Sequence, residues 1–170
     1  WDVSNVTTMT RMFKNATMFD KPLSDWNVSS VIDFNGSFYN TPALSNANKG
    51  KIHQSFSSNS NWPYDWREFV ALDDTNFQSA VNLWFDNQAE ANATYGHISD
   101  WNVTGVTDMS FAFRSTTLNQ PIGNWDVSNV TNMKQMFAGA ASFNQPIGNW
   151  NTSSVTDISY MFMQAADFNH

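Results

Sequence analysis

The hydrophobic positions of the chain recur with a period of about 25 residues. The clearest copy begins at Trp125 and reads W-D-V-S-N-V-T-N-M-K-Q-M-F-A-G-A-A-S-F-N-Q-P-I-G-N, and the next begins at Trp150. Further copies begin at Trp1, Trp26 and Trp101, although the second of these soon loses the pattern. A motif that returns every 20–50 residues or so indicates an array of small units. One such unit cannot bury its apolar face alone, so each must pack against its neighbour.

Two spacings of apolar residues follow each other within a unit. The opening Trp1-Asp2-Val3-Ser4 alternates apolar and polar residues, which is the spacing of a β-strand. The next apolar residues are spaced i, i+3, i+4 and i+7, as on one face of a helix. In three units these residues are Met9, Met12, Phe13 and Ala16; Met133, Met136, Phe137 and Ala140; and Ile158, Met161, Phe162 and Ala165. We expect the threonine before each set, such as Thr131, to cap the helix, and Pro146 and Gly148 to turn the chain back.

These spacings predict an α/β solenoid with leucine-rich-repeat-like architecture. Each coil would contain one short strand and one short helix. Stacking the coils would place short parallel strands on one face and short helices on the other. A β-solenoid without helices is the alternative, and the helical spacing in three units favours the first interpretation.

The chain is predicted to contain three regions. Residues 1–42 would form the end of a first repeat array, and residues 76–170 a second repeat array. Residues 43–75 do not follow the repeat, and we expect them to form an irregular helical and aromatic junction. Because the chain begins and ends inside a repeat, we expect it to be part of a longer protein.

Two helices are predicted in and beside the junction. Ser45 is expected to cap the first helix, in which Gly50 would be a weak point. Asp74 or Thr75 is expected to cap the second helix. The apolar stripe of that second helix would consist of Phe77, Ala80, Val81, Trp84 and Phe85.

Composition and charge restrict the class of protein. The 170 residues are 41% hydrophobic and 15% aromatic, which is enough for a packed core. Eight basic and 15 acidic residues give a net charge of −7, the wrong sign for binding a nucleic-acid backbone. The lack of cysteine excludes disulfides and thiolate metal sites, and no apolar run approaches the roughly 18 residues of a membrane helix. We therefore expect no nucleic-acid partner and no membrane insertion of this segment.

No set of residues indicates catalysis, a cofactor or a metal site. His53, His97 and His170 have no partner at metal-ligand spacing. Asp73 and Asp74 fit the N-terminus of a helix better than a calcium loop, since they lack its alternating acids and its glycine. We expect a protein that is not an enzyme and that holds no cofactor.

Polar residues beside the inward-pointing Trp and Val of each predicted strand form the first candidate binding surface. Equivalent residues in neighbouring parallel strands would lie about 4.8 Å apart, giving a mildly acidic strip that we name the polar ridge. In the second array it comprises Asp100, Asn102, Thr104, Asn124, Asp126, Ser128, Asn149, Asn151 and Ser153. Repeat proteins commonly bind partners on such extended surfaces. The alternative is a solvated sheet face without a ligand.

The junction supplies a second candidate surface. Trp62, Tyr64 and Trp66 lie close together in the sequence W-P-Y-D-W, and we name them the aromatic cluster. If exposed, they could bind a ligand. Alternatively they seal the end of the first array, which is the interpretation that we favour.

The repeat resembles the 25-residue repeat of the BspA-like leucine-rich-repeat surface proteins of bacteria, a repeat also found in many lipoproteins. The resemblance covers residues 1–42 and 101–170, and rests on the W-D-V-S-N-V-T-x-M-x-x-M-F anchors with the Phe-Asn-Gln-Pro-Ile turn. Residues 43–100 resemble the spacer that precedes a fresh block of repeats. The resemblance implies a secreted or surface-anchored protein that binds macromolecules or host surfaces, without enzyme chemistry.

We therefore predict a non-enzymatic repeat protein, extracellular or on the cell surface, that acts in adhesion or macromolecular binding. Its partners would be protein or glycan ligands. The alternative is a structural segment of an extracellular fibre that assembles with itself by end-to-end stacking of repeats.

Overall fold

The computed structural model describes all 170 residues and divides into two compact units. The first unit comprises Trp1–Val70 and Ala93–Tyr95, and the second comprises Ala71–Asn92 and Gly96–His170. Most of the sequence assigned to the junction thus belongs to the first unit. The three-part division of the sequence stays a prediction.

The regular helices and strands all lie between residues 46 and 105. In chain order they are helix α1 (Asn46–Phe56), a 3-10 turn (Arg67–Phe69), strand β1 (Ala71–Asp73), helix α2 (Phe77–Asp86), helix α3 (Gln88–Tyr95), a 3-10 turn (Ile98–Asp100) and strand β2 (Asn102–Gly105). None of the helices is long and apolar enough to cross a membrane. The repeats on either side consist of turns and isolated β-bridges.

The prediction of helices within the repeats is wrong. Residues 9–16 form successive four-residue turns, in which the N–H of Met12 donates to the carbonyl of Met9 at 3.1 Å. An α-helix would bond the N–H of Phe13 to the carbonyl of Met9. This N–H donates instead to the carbonyl of Ser37, in the next repeat, at 2.8 Å.

Left-handed backbone at two positions per repeat explains why no helix forms. Arg11 and Asn15 have φ values of 55° and 60°, and their equivalents Gln135 and Gly139 have φ values of 53° and 72°. These residues occupy the third position of a four-residue turn, where a type II turn requires a positive φ. Each such residue reverses the local course of the chain, so the 3.6-residue helical path cannot continue.

Alternate N–H groups of one repeat donate to the carbonyls of the next repeat. Between the repeats that begin at Trp125 and Trp150 the bonds are Met133 to Asp157 (2.8 Å), Gln135 to Ser159 (2.9 Å), Phe137 to Met161 (2.9 Å) and Gly139 to Met163 (2.7 Å). The same four positions join the repeats that begin at Trp1 and Trp26, and those that begin at Trp101 and Trp125. We name this set of bonds the turn ladder. At these positions the earlier repeat supplies every donor and the later repeat supplies every acceptor.

The strand predicted at the start of each repeat forms only in the repeat that begins at Trp101. There β2 pairs in parallel with β1, with Ala71 opposite Asn102 and Asp73 opposite Gly105. In the other repeats the same positions lack strand structure. The predicted cap is also wrong, because the N–H and Oγ1 of Thr131 donate to the carbonyl of Thr107, at 2.8 and 3.2 Å, in the preceding repeat.

The residues that the apolar spacing selects are fully buried in the repeat that begins at Trp125, whereas Met12 and Ile158, at the same spacing in other repeats, are 38% and 63% exposed. Met133, Met136, Phe137 and Ala140 are at most 1% exposed, so their predicted burial is confirmed although they are not helical. Phe137 stacks on Phe113 and Phe162, with ring centroids 5.6 and 5.5 Å apart. Because equivalent phenylalanines meet face to face, the core continues from one repeat to the next.

The helices outside the repeats agree better with the predictions made from the sequence. Ser45 caps α1 as predicted, since its Oγ accepts the N–H of Asn48 at 3.3 Å. Gly50 is required by packing, because a Cβ there would lie 2.0 Å from the carbonyl oxygen of Phe69. α2 forms as predicted, but its cap position is Asn76 rather than Asp74 or Thr75. α3 was not predicted.

Candidate functional site

The nine residues of the polar ridge lie at the surface of the second unit. All are exposed except Ser128, which is half-buried. The intervening tryptophans are buried, with Trp101 and Trp125 each 4% exposed and Trp150 8% exposed. Ridge side chains and tryptophans therefore point to opposite sides of the backbone, although most of the backbone there is not a regular strand.

A local hydrogen bond holds each ridge segment in shape. The side-chain oxygen of Asn102 accepts the N–H of Thr104 at 3.3 Å, and Oδ1 of Asp126 accepts the N–H of Ser128 at 3.1 Å. Asn151 and Ser153 make the same contact at 3.2 Å. These Asx turns fix the backbone, so the exposed oxygens occupy defined positions.

The ridge carries negative charge at neutral pH. Hydrogen bonds from the hydroxyl and the N–H of Ser128 favour the carboxylate of Asp126 and lower the pKa of that group. Asp126 is thus ionised well below neutral pH. Together with Asp100 it suits a partner that presents basic groups or hydrogen-bond donors.

Side chains that reach back to the preceding repeat keep the ridge segments in register. Nδ2 of Asn129 donates to the carbonyl of Thr104 at 2.9 Å, and Oγ of Ser154 donates to the carbonyl of Ser128 at 2.7 Å. Both bonds start from the residue that follows the ridge segment of one repeat and end within the ridge segment of the preceding repeat. Neighbouring ridge segments are thereby held side by side.

The buried tryptophans hold the backbone of the ridge through hydrogen bonds and ring stacking on its inner side. The Nε1 of Trp125 donates to the carbonyl of Ile98 at 2.8 Å, and the Nε1 of Trp150 donates to the carbonyl of Ile122 at 3.2 Å. The rings of Trp101 and Trp125 stack with centroids 6.3 Å apart. Each indole donor is therefore satisfied by the carbonyl that lies three residues before the preceding tryptophan in the sequence.

The aromatic cluster belongs to the first unit, and its three side chains are half-buried. Trp62 meets the edges of Phe34 and Phe56, with ring centroids 5.3 and 5.2 Å apart. The hydroxyl of Tyr64 accepts the N–H of Phe38 at 3.1 Å. The cluster covers part of the core of the first unit. Its role as a seal on the repeats stays a prediction.

A groove beside the aromatic cluster escaped the sequence analysis. It runs between residues 32–39 and residues 61–64, has a volume of about 470 Å³, and is lined in part by Asn35, Tyr39 and Tyr64. Of these three lining residues, only Tyr64 was predicted to bind a ligand. The groove depends on residues some 25 positions apart meeting in space, which no local pattern reports.

Comparison with known proteins identifies the family. No curated protein and no solved structure matches the chain. A family described as "Mycoplasma protein of unknown function, DUF285" matches residues 1–68 and 75–170, which is nearly the whole chain. The resemblance to a repeat-containing bacterial family is confirmed at this level, and the chain belongs to the DUF285 family.

Proposed function

We propose that this chain is a non-enzymatic repeat scaffold, extracellular or on the bacterial cell surface, that binds a macromolecular ligand along its polar ridge. The observation that carries the proposal is that the exposed ridge segments are held in fixed positions relative to one another. Asx turns fix each segment, and the bonds from Asn129 and Ser154 join consecutive segments. An extended surface of repeated acceptors suits a protein or glycan ligand that makes many weak contacts in series.

The turn ladder supports a solenoid as the architecture of this scaffold. Parallel bridges link Asp108 to Asn132 and Asn132 to Asp157, so three consecutive repeats meet at equivalent positions. The absence of regular helices in the repeats favours a coil built from turns over one with a helical face. The motif's resemblance to BspA-like repeats supports a surface location.

The test of the ridge uses two variants with the same change of charge. The ridge variant combines Asn124→Lys, Asp126→Asn and Asn149→Lys. The asparagine introduced at position 126 would still accept the Ser128 N–H, and the side chains of Asn124 and Asn149 make no hydrogen bond within the chain. The control variant combines Ser79→Lys, Asp86→Asn and Thr117→Lys, which are exposed positions away from the ridge.

Both variants and the wild type are measured by surface plasmon resonance against arrayed extracellular-matrix proteins and glycans. For any probe that the wild type binds, we expect at least about a tenfold weaker Kd for the ridge variant, since several contacts of about 1 kcal/mol are lost. The control variant should bind as the wild type does. Equal affinity for the wild type and the ridge variant would exclude the ridge as the binding surface.

Self-assembly by stacking is the second candidate function. Consecutive repeats already stack through the turn ladder, in which N–H groups of one repeat donate to carbonyls of the next. Repeats of a second copy could stack in the same way. Sedimentation equilibrium over a hundredfold concentration range tests this, because a constant monomer mass would exclude it.

A further inference from the structure

The turn ladder stops inside the first unit, where the donors of Phe34, Gly36 and Asn40 have no acceptor. Phe34 and Gly36 occupy the positions at which Met133 and Gln135 donate to the following repeat. The N–H groups of Phe34 and Gly36 have no acceptor in the chain. Both residues line the groove beside the aromatic cluster, although Phe34 as a whole is only 1% exposed.

The next donor of the same ladder is already satisfied. The N–H of Phe38 donates to the hydroxyl of Tyr64, where the equivalent Phe137 donates to a backbone carbonyl. At this position a side chain of the aromatic cluster therefore replaces the carbonyl of a following repeat. Of the three unfilled donors, those of Phe34 and Gly36 belong to residues that line the groove.

The walls of the groove present aromatic and amide groups. Tyr39 is 65% exposed, and Ile32 on the same side is 71% exposed. The carboxamide of Asn35 makes no hydrogen bond within the chain. The volume of about 470 Å³ lies within the usual range of ligand sites. The groove thus combines unused backbone donors with an apolar wall.

We propose that this groove binds an extended peptide segment of a partner protein. Alternate carbonyls of the peptide accept the N–H groups of Phe34 and Gly36, and a peptide side chain lies between Tyr39 and Tyr64. Carbonyls of alternate residues are what fill the equivalent donors elsewhere, as Asp157 and Ser159 do for Met133 and Gln135. Addition of a peptide backbone to an unpaired edge is an established mode of recognition.

This site is independent of the polar ridge, since it lies in the first unit and uses backbone donors rather than side-chain acceptors. It also has a distinctive chemistry. The groove supplies the donors and the peptide supplies only carbonyls, so the peptide needs no N–H at those rungs. N-methylation of the peptide amides there should leave binding intact, whereas a strand that exchanges bonds in both directions would lose it.

The experiment uses the full chain labelled with 15N and a synthetic peptide of residues 131–140, T-N-M-K-Q-M-F-A-G-A, as the probe. The carbonyls of this segment already fill the equivalent donors of the preceding repeat, for example Asn132 to Met109 at 2.9 Å. We expect saturable shifts of the Phe34 and Gly36 amide signals at peptide concentrations up to about 1 mM, an affinity suited to two backbone rungs and one side chain.

Two tyrosine variants distinguish peptide binding in the groove from non-specific binding to exposed aromatic side chains. Tyr39→Ala removes a groove wall, and Tyr160→Ala removes a tyrosine of the same 65% exposure elsewhere. Tyr39→Ala should weaken the peptide's effect on Phe34 and Gly36 at least about fivefold, and Tyr160→Ala should leave it unchanged. Thermal melting checks that both variants are folded.

Three results would overturn the proposal. The first is the absence of saturable shifts at Phe34 and Gly36 in the folded wild type. The second is an equal response of folded Tyr39→Ala and the wild type. The third is that chitohexaose or cellohexaose shifts these amides at lower concentration than the peptide, which would make the groove a glycan site.

Discussion

The indole Nε1 of Trp62 donates a hydrogen bond of 3.0 Å to Nδ1 of His53. The other ring nitrogen of His53, Nε2, lies 3.0 Å from the carbonyl of Ala93. An indole can only donate and a carbonyl can only accept, so His53 must be neutral with its proton on Nε2. The pair joins the aromatic cluster to α1, and both partners belong to the first unit.

Protonation of His53 should therefore weaken the first unit. His53 is 3% exposed, and its burial lowers its pKa from the ordinary value of 6.5. Asp65 opposes this shift and Arg67 adds to it. Well above pH 6.5 the His53 side chain is neutral in both the folded and the unfolded state, so its contribution to the free energy of unfolding is fully present. As the pH falls below that value the unfolded state takes up the proton first, so the free energy of unfolding decreases until the folded pKa is reached.

Urea denaturation between pH 7.5 and pH 4.5 measures this dependence, and His53→Gln is the matched variant. Glutamine can donate to Ala93 and accept from Trp62 but does not titrate. The part of the pH dependence that begins near 6.5 should shrink in His53→Gln. An unchanged slope in that variant would show that His53 is not the responsible group.

Two glycines at the same position of consecutive repeats should respond differently to alanine. A Cβ at Gly123 would lie 2.3 Å from the carbonyl oxygen of Pro146, whereas a Cβ at Gly148 meets nothing within 4 Å. We expect Gly123→Ala to reduce the free energy of unfolding by about 1–3 kcal/mol, since the next repeat must shift. Gly148→Ala should change it by less than about 0.5 kcal/mol. Chemical denaturation of both variants checks the difference, and equal effects would contradict the close approach of the repeats.

The phenylalanine stack should be most sensitive at its centre. Phe137 is fully buried between Phe113 and Phe162, and Phe162 is half-buried. Phe137→Ala should cost about 3–5 kcal/mol through lost burial and the cavity left behind. Phe162→Ala should cost roughly half as much, because less of its surface leaves water on folding. The midpoint of guanidinium denaturation gives both values, and a larger loss for Phe162→Ala would refute the continuous core.

Asp74 should stabilise the second unit although it caps no helix. Its carboxylate accepts the N–H and hydroxyl of Thr107 at 2.7 and 2.6 Å, and the N–H of Asp108 at 3.0 Å. Burial acts to raise the pKa of Asp74, but these hydrogen bonds lower it overall. We expect Asp74→Ala to cost about 1 kcal/mol, a value discounted for the exposure of the site.

Asp86→Ala is the control for this prediction. Asp86 is also exposed, ends α2 and makes no hydrogen bond through its side chain. Its removal should be neutral or slightly stabilising, since a carboxylate is unfavourable at a helix C-terminus. Thermal denaturation at pH 7 compares the two variants, and equal melting temperatures would argue against the contact between Asp74 and Thr107.

Several features of the structure could be read from the sequence because they depend on local chemistry. The cap at Ser45 and the amphipathic α2 follow from residue type and spacing over a few positions. One turn position of the repeat is occupied by Gly139, Asn15 and Asn40 in different repeats. Glycine and asparagine adopt left-handed backbone more readily than other residues, so these residue types indicated a turn there. This indication was outweighed by the helical spacing of the apolar residues.

The sequence alone determined the repeat, its period and the buried residues of the repeat that begins at Trp125, because burial there follows the apolar spacing whichever backbone path carries it. Met12 and Ile158, at the same spacing in other repeats, are exposed. Only the tertiary structure decided the backbone path. An N–H such as that of Phe13 can bond within its own turn or to the neighbouring repeat, and residue type does not choose between them. Packing chooses, since the carbonyl of Ser37 lies 2.8 Å away once Phe13 and Phe38 stack. The same packing left Phe34 and Gly36 without a following repeat, and so created the groove.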